Sequence, residues 1–217
     1  MSIVVHTPAV EAIEADLLQR WRQVPVAVIA DTSAGACLVD PVIRPLRPAG
    51  QQPRLFGRAV TALCAPPDFG AVLRALDLVG AGDVLVIAAQ GHGQHAMIGE
   101  ILGGHLRRKG AAGVVCDGAI RDVAELAGWN DFAMYSRSVT PRGPTGAAHG
   151  ELNATVTFGG LAVKPGDIVS GDDDGLAVIN PALAHQLISG CEAKLKLESE
   201  WQAKLAAGQS VAQVFGL

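Results

Sequence analysis

The sequence is poor in aromatic and in charged residues: Phe, Trp and Tyr make up 4% of its 217 residues, with a single tyrosine, and 18% are charged. With so little charge, solubility is expected to rest on burying apolar faces in an oligomer as well as in a core. No excess of basic residues is present either, since 17 Lys and Arg stand against 21 Asp and Glu, a formal net charge of −4. A nucleic-acid footprint needs a basic face. The only dense basic run, HLRRKG at 105–110, falls at the end of a predicted helix, where cations suit the dipole. The four cysteines, Cys37, Cys64, Cys116 and Cys191, form no CxxC pair, which excludes a disulfide framework and a cysteine-rich zinc site. No apolar run approaches the roughly 18 residues of a membrane span. The N-terminus does not read as a signal segment, so a reducing cytoplasm is expected, with neither membrane nor nucleic acid as partner.

Several catalytic signatures are also missing. The chain has no GxxxxGK[ST] phosphate loop, and Gly91, Gly93, Gly103 and Gly104 do not reproduce GxGxxG with an acidic partner at the expected distance. Ser33, Ser136, Ser138 and Ser170 stand in no GxSxG elbow. His92, His95 and His105 do not form HExxH, and a zinc site at His92 and His95 would want a third ligand that the sequence does not supply. The acidic run Asp172, Asp173, Asp174 before Gly175 reads as a solvated turn between strands, the alternative being a shared cation.

What is present suits a compact, turn-rich α/β protein: 49% hydrophobic residues, 26 glycines and 12 prolines. Apolar periodicity predicts a helix over 11–23, a strand in 25–35, short β pieces over 41–63 and a helix over 69–82. VLVIAA at 84–89 and AGVVCDG at 112–118 read as strands buried on both faces. The helix AMIGEILGGHLRRKG lies between them, and IRDVAELAGW begins another after the second strand. Strand, helix, strand, helix is the order of a parallel α/β unit, and ligands collect beyond the carboxyl ends of such strands. Two of those ends fall at Gln90–Gly93 and Cys116–Arg121. Further strands are predicted in FAMYSRSV, LNATVTFGGLAV and PGDIVSGDDDGLAVI. Residues 1–180 then form one α/β domain, and 181–217 a C-terminal helical extension.

CDGAIRD, residues 116–122, is the most suggestive of these ends. Taken alone it admits a bland reading, in which Asp122 favours a helix dipole and Arg121 pairs with an acid. It also admits a chemical one. An arginine can grip a carboxylate or keto oxygen, and an adjacent aspartate can hold a hard divalent ion. Helix-start amides over Ile98–Leu102 can receive a second negative group, a combination that fits a small 2-oxo acid.

The segments GDVLVIAA…IGEILGGHLRRKGAAGVVCDGAIRDV and PGDIVSGDDDG, together with RSVTPRGP and the LAAG that ends the last helix, resemble the RraA-like superfamily over about residues 11–208. Within it the chain is similar to the class II pyruvate aldolases that cleave 4-hydroxy-4-methyl-2-oxoglutarate or 4-carboxy-4-hydroxy-2-oxoadipate. The resemblance implies a swivelling α/β/β fold, a trimer or hexamer with its site at a subunit boundary, and oxaloacetate decarboxylation through a shared enolate. It further implies that Arg121 contacts the pyruvyl oxygens, that Asp122 binds Mg²⁺ or Mn²⁺, and that amides near Gly99, Glu100, Ile101 and Leu102 hold the carboxylate. Glu100 and Asp117 would organise water, and Glu198 would reach the site of a neighbouring subunit. CAPPDFGAV at 64–72 and GHGQHA at 91–96 depart from the family pattern, so His92 and His95 are expected to line the half of the pocket that holds the leaving fragment. The superfamily also contains non-catalytic ribonuclease regulators, and that alternative stands beside the aldolase. The long extension carrying Glu198 favours the aldolase.

Overall fold

The computed structural model describes residues 2–217. Its elements, in chain order, are β1 (Ser2–Val5), α1 (Ala15–Trp21), α2 (Val26–Thr32), β2 (Arg44–Pro45), β3 (Leu55–Leu63), α3 (Gly70–Leu78), β4 (Asp83–Ala88) and β5 (Ala96–Ile98). There follow α4 (Glu100–Arg108), β6 (Gly113–Ile120), α5 (Val123–Leu126), β7 (Ala133–Val139), β8 (His149–Leu152), β9 (Val156–Phe158) and β10 (Leu161–Val163). The hairpin β11 (Ile168–Asp172) and β12 (Gly175–Ile179), then α6 (Pro181–Ala206) and α7 (Val211–Phe215), complete the chain.

Strands β3, β4, β6 and β7 are parallel neighbours in a ten-stranded sheet, joined through α3, α4 and α5. Alternation along them builds two cores. Leu85 and Ile87 of β4 with Val114 and Cys116 of β6 pack under Ala71, Val72, Leu106 and Leu126 of the three helices. Val84, Val86 and Val115 face the other way, onto Val156, Phe158, Val163 and Val169 of a β layer. The result is a helical layer, a parallel sheet and a second β layer, the α/β/β order that the resemblance implies. β11 pairs antiparallel with β3 and carries β12 at its side. A third core, containing Trp21, Ile29, Ile179, Ala184, Ile188 and Cys191, seats α1, α2 and the first half of α6 against this hairpin. The far end of α6 folds back through α7, with Trp201 against Phe215 at 4.7 Å between ring centroids.

Two local expectations are corrected. The predicted strand in 25–35 is the helix α2. Its apolar run is short, and period alone does not separate a short buried helix from a strand. Pro25 at the N-cap and burial of Val26, Val28 and Ile29 against α6 and β12 decide for the helix. Likewise Ala96–Ile98 is not the first turn of a helix but β5, which pairs with the C-terminal end of β6, so α4 begins only at Glu100.

The acidic turn is structural, as its solvated-turn reading expected. Asp172 accepts hydrogen bonds from the amides of Val26 and Asp174, at 2.8 and 3.1 Å, and Asp173 accepts one from Gly50 at 3.0 Å.

Candidate active site

β6 carries the central residues. It runs two residues further than the sequence suggested, and a register shift between Cys116 and Ala119 breaks its pairing with β7. The chain then turns at Asp122, whose φ of 59° lies in the left-handed region that Asp tolerates better than most residues. This turn throws Arg121 and Asp122 together beside the start of α4. Arg121 Nε lies 3.6 Å from Asp122 Oδ2, and the same oxygen accepts the Glu100 amide at 3.1 Å. The Arg121 amide donates to the Ile98 carbonyl at 3.1 Å, fixing β5 against the turn.

A cavity of about 330 Å³ opens over these groups. Arg121, Asp122 and Gly99 form its polar wall, and Phe69, Leu73 and Met97 its apolar one. Gly143 and Pro144 close it from above. Two glycines bracket the arginine: a Cβ at Gly99 would stand 2.9 Å from Arg121 Cγ, and one at Gly143 would stand 2.7 Å from Nη1. The N-cap, Gly99, has no side chain and Asp122 takes only the Glu100 amide, so the first-turn amides of Ile101 and Leu102, both cavity residues, have no intrahelical partner. Ile101 is 72% exposed, a large apolar side chain held in the open at the rim.

The remaining residues singled out from sequence are distributed around this cavity rather than in it. Glu100 is exposed on the first turn of α4. Asp117 is buried behind the site. Burial pushes its carboxyl up, against the lowering effects of the Ala89 amide that it accepts and of the nearby Arg137. Asp117 therefore ties β6 to the end of β4 and does not line the cavity. Glu198 sits far along α6, 3.6 Å from Lys194, and does not reach the cavity of its own chain. His92 and His95 lie just before β5, outside the lining of the cavity, and are bonded ring to ring at 3.0 Å. Cys64 and Cys116 are buried; burial pushes the Cys64 thiol up to about 12 and the Cys116 thiol higher still, so neither is a nucleophile.

One organising residue carried no signal in the sequence. Asp68 is buried beneath the loop that closes the cavity and accepts the amides of Gly70, Ala148 and His149, at 2.7, 2.9 and 3.2 Å, and the His149 ring at 3.1 Å. Burial raises its carboxyl, but the Ala148, Gly70 and His149 hydrogen bonds outweigh that and hold it at about 2. Its partners Ala148 and His149 lie some 80 positions away, a distance no local pattern reports.

A divalent ion fits this wall in one form only. Among the described residues no three His, Cys, Asp or Glu side chains converge, so a fully protein-ligated ion such as structural zinc has no cage. Asp122 by contrast is half-exposed, and its Oδ1 has no hydrogen-bond partner among the described residues. That suits Mg²⁺ or Mn²⁺ held by one carboxylate, with waters and substrate oxygens completing the shell.

Residues 26–178 match the family model described as RraA-like, Aldolase/RraA. The chain belongs to the RraA-like family. A protein of Halalkalibacterium halodurans named "Putative 4-hydroxy-4-methyl-2-oxoglutarate aldolase" is 34% identical over 166 residues, 76% of this chain and 77% of that one. Among solved structures, an uncharacterized protein from Pseudomonas syringae superposes with a TM-score of 0.82 at 21% identity, covering 94% of this chain and 98% of that one. The RNA-processing inhibitor RraA from Thermus thermophilis superposes with a TM-score of 0.60 at 28% identity, over 79% of this chain and 93% of that one. Among the described residues no helix is long and apolar enough to cross a membrane.

Proposed function

We propose that this RraA-like protein is a divalent-metal-dependent aldolase. It would cleave 4-carboxy-4-hydroxy-2-oxoadipate or 4-hydroxy-4-methyl-2-oxoglutarate to release pyruvate and would decarboxylate oxaloacetate through the same enolate. The observation that carries this reading is the apposition of Arg121 and Asp122, at 3.6 Å, on the wall of a cavity that also contains Ile101 and Leu102 of the first turn of α4.

The chemistry follows from these groups. The substrate carboxylate meets the Ile101 and Leu102 amides at the positive end of the helix. Arg121 faces the keto oxygen, where negative charge grows as the carbon–carbon bond breaks, and its fixed cation stabilises that charge. Mg²⁺ or Mn²⁺ at Asp122 would supply Lewis-acid polarisation of the same oxygen. Leu73, Phe69 and Met97 exclude water from the other side and strengthen both interactions. The proton of the C4 hydroxyl passes to a water oriented by Glu100 and, across a subunit boundary, by Glu198. A proton then returns to the enolate carbon to give pyruvate. No Schiff-base lysine is needed, and no lysine lines the cavity.

Similarity to a protein named as an aldolase supports this reading, and the exposed Ile101 supports a trimeric or hexameric assembly that covers the rim. The test is pyruvate release with Mg²⁺ and with EDTA, for the parent, Arg121→Ala and Asp122→Asn. Likeness to an RNA-processing inhibitor favours a second reading, a binding protein without catalysis, which predicts a folded oligomer that releases no pyruvate.

A further inference from the structure

The loop that leads into β5, whose residues line the cavity, holds an unusual polar pair. His92 Nε2 and His95 Nδ1 are hydrogen-bonded at 3.0 Å, with their rings 14° from parallel. One of these nitrogens donates and the other accepts, so the contact uses a single proton. The outer nitrogens, His92 Nδ1 and His95 Nε2, have no partner among the described residues, and both rings are only half-buried.

Its placement relates it to the reacting end. Ala96, directly after His95, lines the cavity, and its amide donates to the Arg142 carbonyl at 2.8 Å. Gly143, directly after Arg142, lines the cavity against Arg121. The histidine loop and the Arg142 loop are thus stitched together along one rim. From His95 to Ile98, whose carbonyl accepts the Arg121 amide, the chain is extended, so these two backbone positions lie about 10 Å apart at ~3.3 Å per residue. That spacing suits a molecule with an acidic group at each end.

We propose that His92, His95 and Arg142 form a distal anion subsite that receives the carboxylate on the leaving fragment of a substrate whose 2-oxo-acid end lies at Arg121. The subsite deepens the aldolase reading and rests on it. It selects a tricarboxylic substrate, which leaves as a second keto acid bearing its own terminal carboxylate, over one with a methyl group at that position. Without an anion, burial first, then His92 and Arg142, lower the proton affinity of His95 and so disfavour its charged form. A carboxylate between the outer nitrogens and the guanidinium reverses that balance and draws in a proton, giving a charged donor on each side.

The test uses the full-length oligomer and two probes in calorimetric titrations: oxamate for the 2-oxo-acid end, and tricarballylate, which has carboxylates at both ends. His92→Gln, His95→Gln and Arg142→Gln are each expected to weaken tricarballylate by about tenfold or more while leaving oxamate unchanged. For the parent, tricarballylate affinity falls as pH rises through neutrality, and that slope is lost in His95→Gln. Substitutions that leave tricarballylate unchanged, or that weaken both probes alike, overturn the subsite. Circular dichroism on each variant separates loss of fold from loss of contact. A parent that releases no pyruvate from any substrate sinks the aldolase reading, whereas the two-probe result stands or falls by itself.

Discussion

In the proposed reaction Arg121 works only if it is held still, and the backbone packs closely on both sides of it. With Gly99 and Gly143 on its two sides, a methyl group at either position would push into the side chain, at 2.9 Å from Cγ or 2.7 Å from Nη1. Gly143→Ala is therefore expected to lower kcat/KM about 10- to 100-fold by displacing the guanidinium, with little change in Tm. Steady-state kinetics beside a thermal melt checks both halves. Asp122 poses a different problem, because its φ of 59° penalises most replacements. Asparagine tolerates this conformation and removes only the charge. Asp122→Asn should melt with the parent yet lose about 100-fold or more in activity, whereas Asp122→Ala should lose stability as well. Equal activity of Asp122→Asn and parent would exclude the carboxylate from the reaction.

At the scale of elements, the site is a junction between the end of β6, the short strand β5 and the start of α4, roofed by the loop at 143–149. Asp68 pins that roof through Gly70, Ala148 and His149. Its carboxyl is held below the usual range, at about 2, so its contribution to stability is complete above the unfolded value of about 4. The contribution is lost as pH falls through the folded value. Asp68→Asn should therefore be less stable than the parent at neutral pH, and the gap should close between about pH 4 and pH 2 in acid melts. A gap constant across that range would show that Asp68 acts through shape alone.

This junction also shows which parts of the protein can be read from sequence. β4 and β6 are legible because continuous apolar runs bounded by glycines have few other meanings, and Arg121 and Asp122 are legible because they follow such a strand directly. α2 is not, since the five apolar residues Val26–Ala30 suit either state until α6 and β12 pack on them. β5 was hidden too, for Ala96–Ile98 acquires strand geometry only from its pairing with β6. The cavity walls at Phe69, Leu73, Gly143 and Pro144 come from segments remote in sequence, so no motif announces them. Asp117 shows what a motif leaves out. Its place in CDGAIRD suggests a site residue, but a bulge in β6 leaves it buried behind the cavity and bonded to Ala89.

At the scale of the whole molecule, the proposed reaction uses more than one chain. Glu198 stands on the far part of α6, away from its own cavity, and Leu197, Leu205, Val211 and Phe215 of the same extension are exposed. If Glu198 completes a neighbour's site, Arg121→Ala and Glu198→Gln chains, each inactive alone, should complement when refolded together. Random mixing in a cyclic assembly would restore about one quarter of the parent activity. No recovery in mixed oligomers verified by native mass spectrometry would confine the chemistry to a single chain.

The most direct measurement is coupled pyruvate production from 4-carboxy-4-hydroxy-2-oxoadipate, 4-hydroxy-4-methyl-2-oxoglutarate and oxaloacetate, each with Mg²⁺ and with EDTA. The arrangement of Arg121 and Asp122 predicts turnover that disappears with EDTA, returns with added Mg²⁺, and is absent from Arg121→Ala and Asp122→Asn. Folded, metal-supplemented protein that yields no pyruvate from any of the three, or turnover indifferent to EDTA, would contradict it.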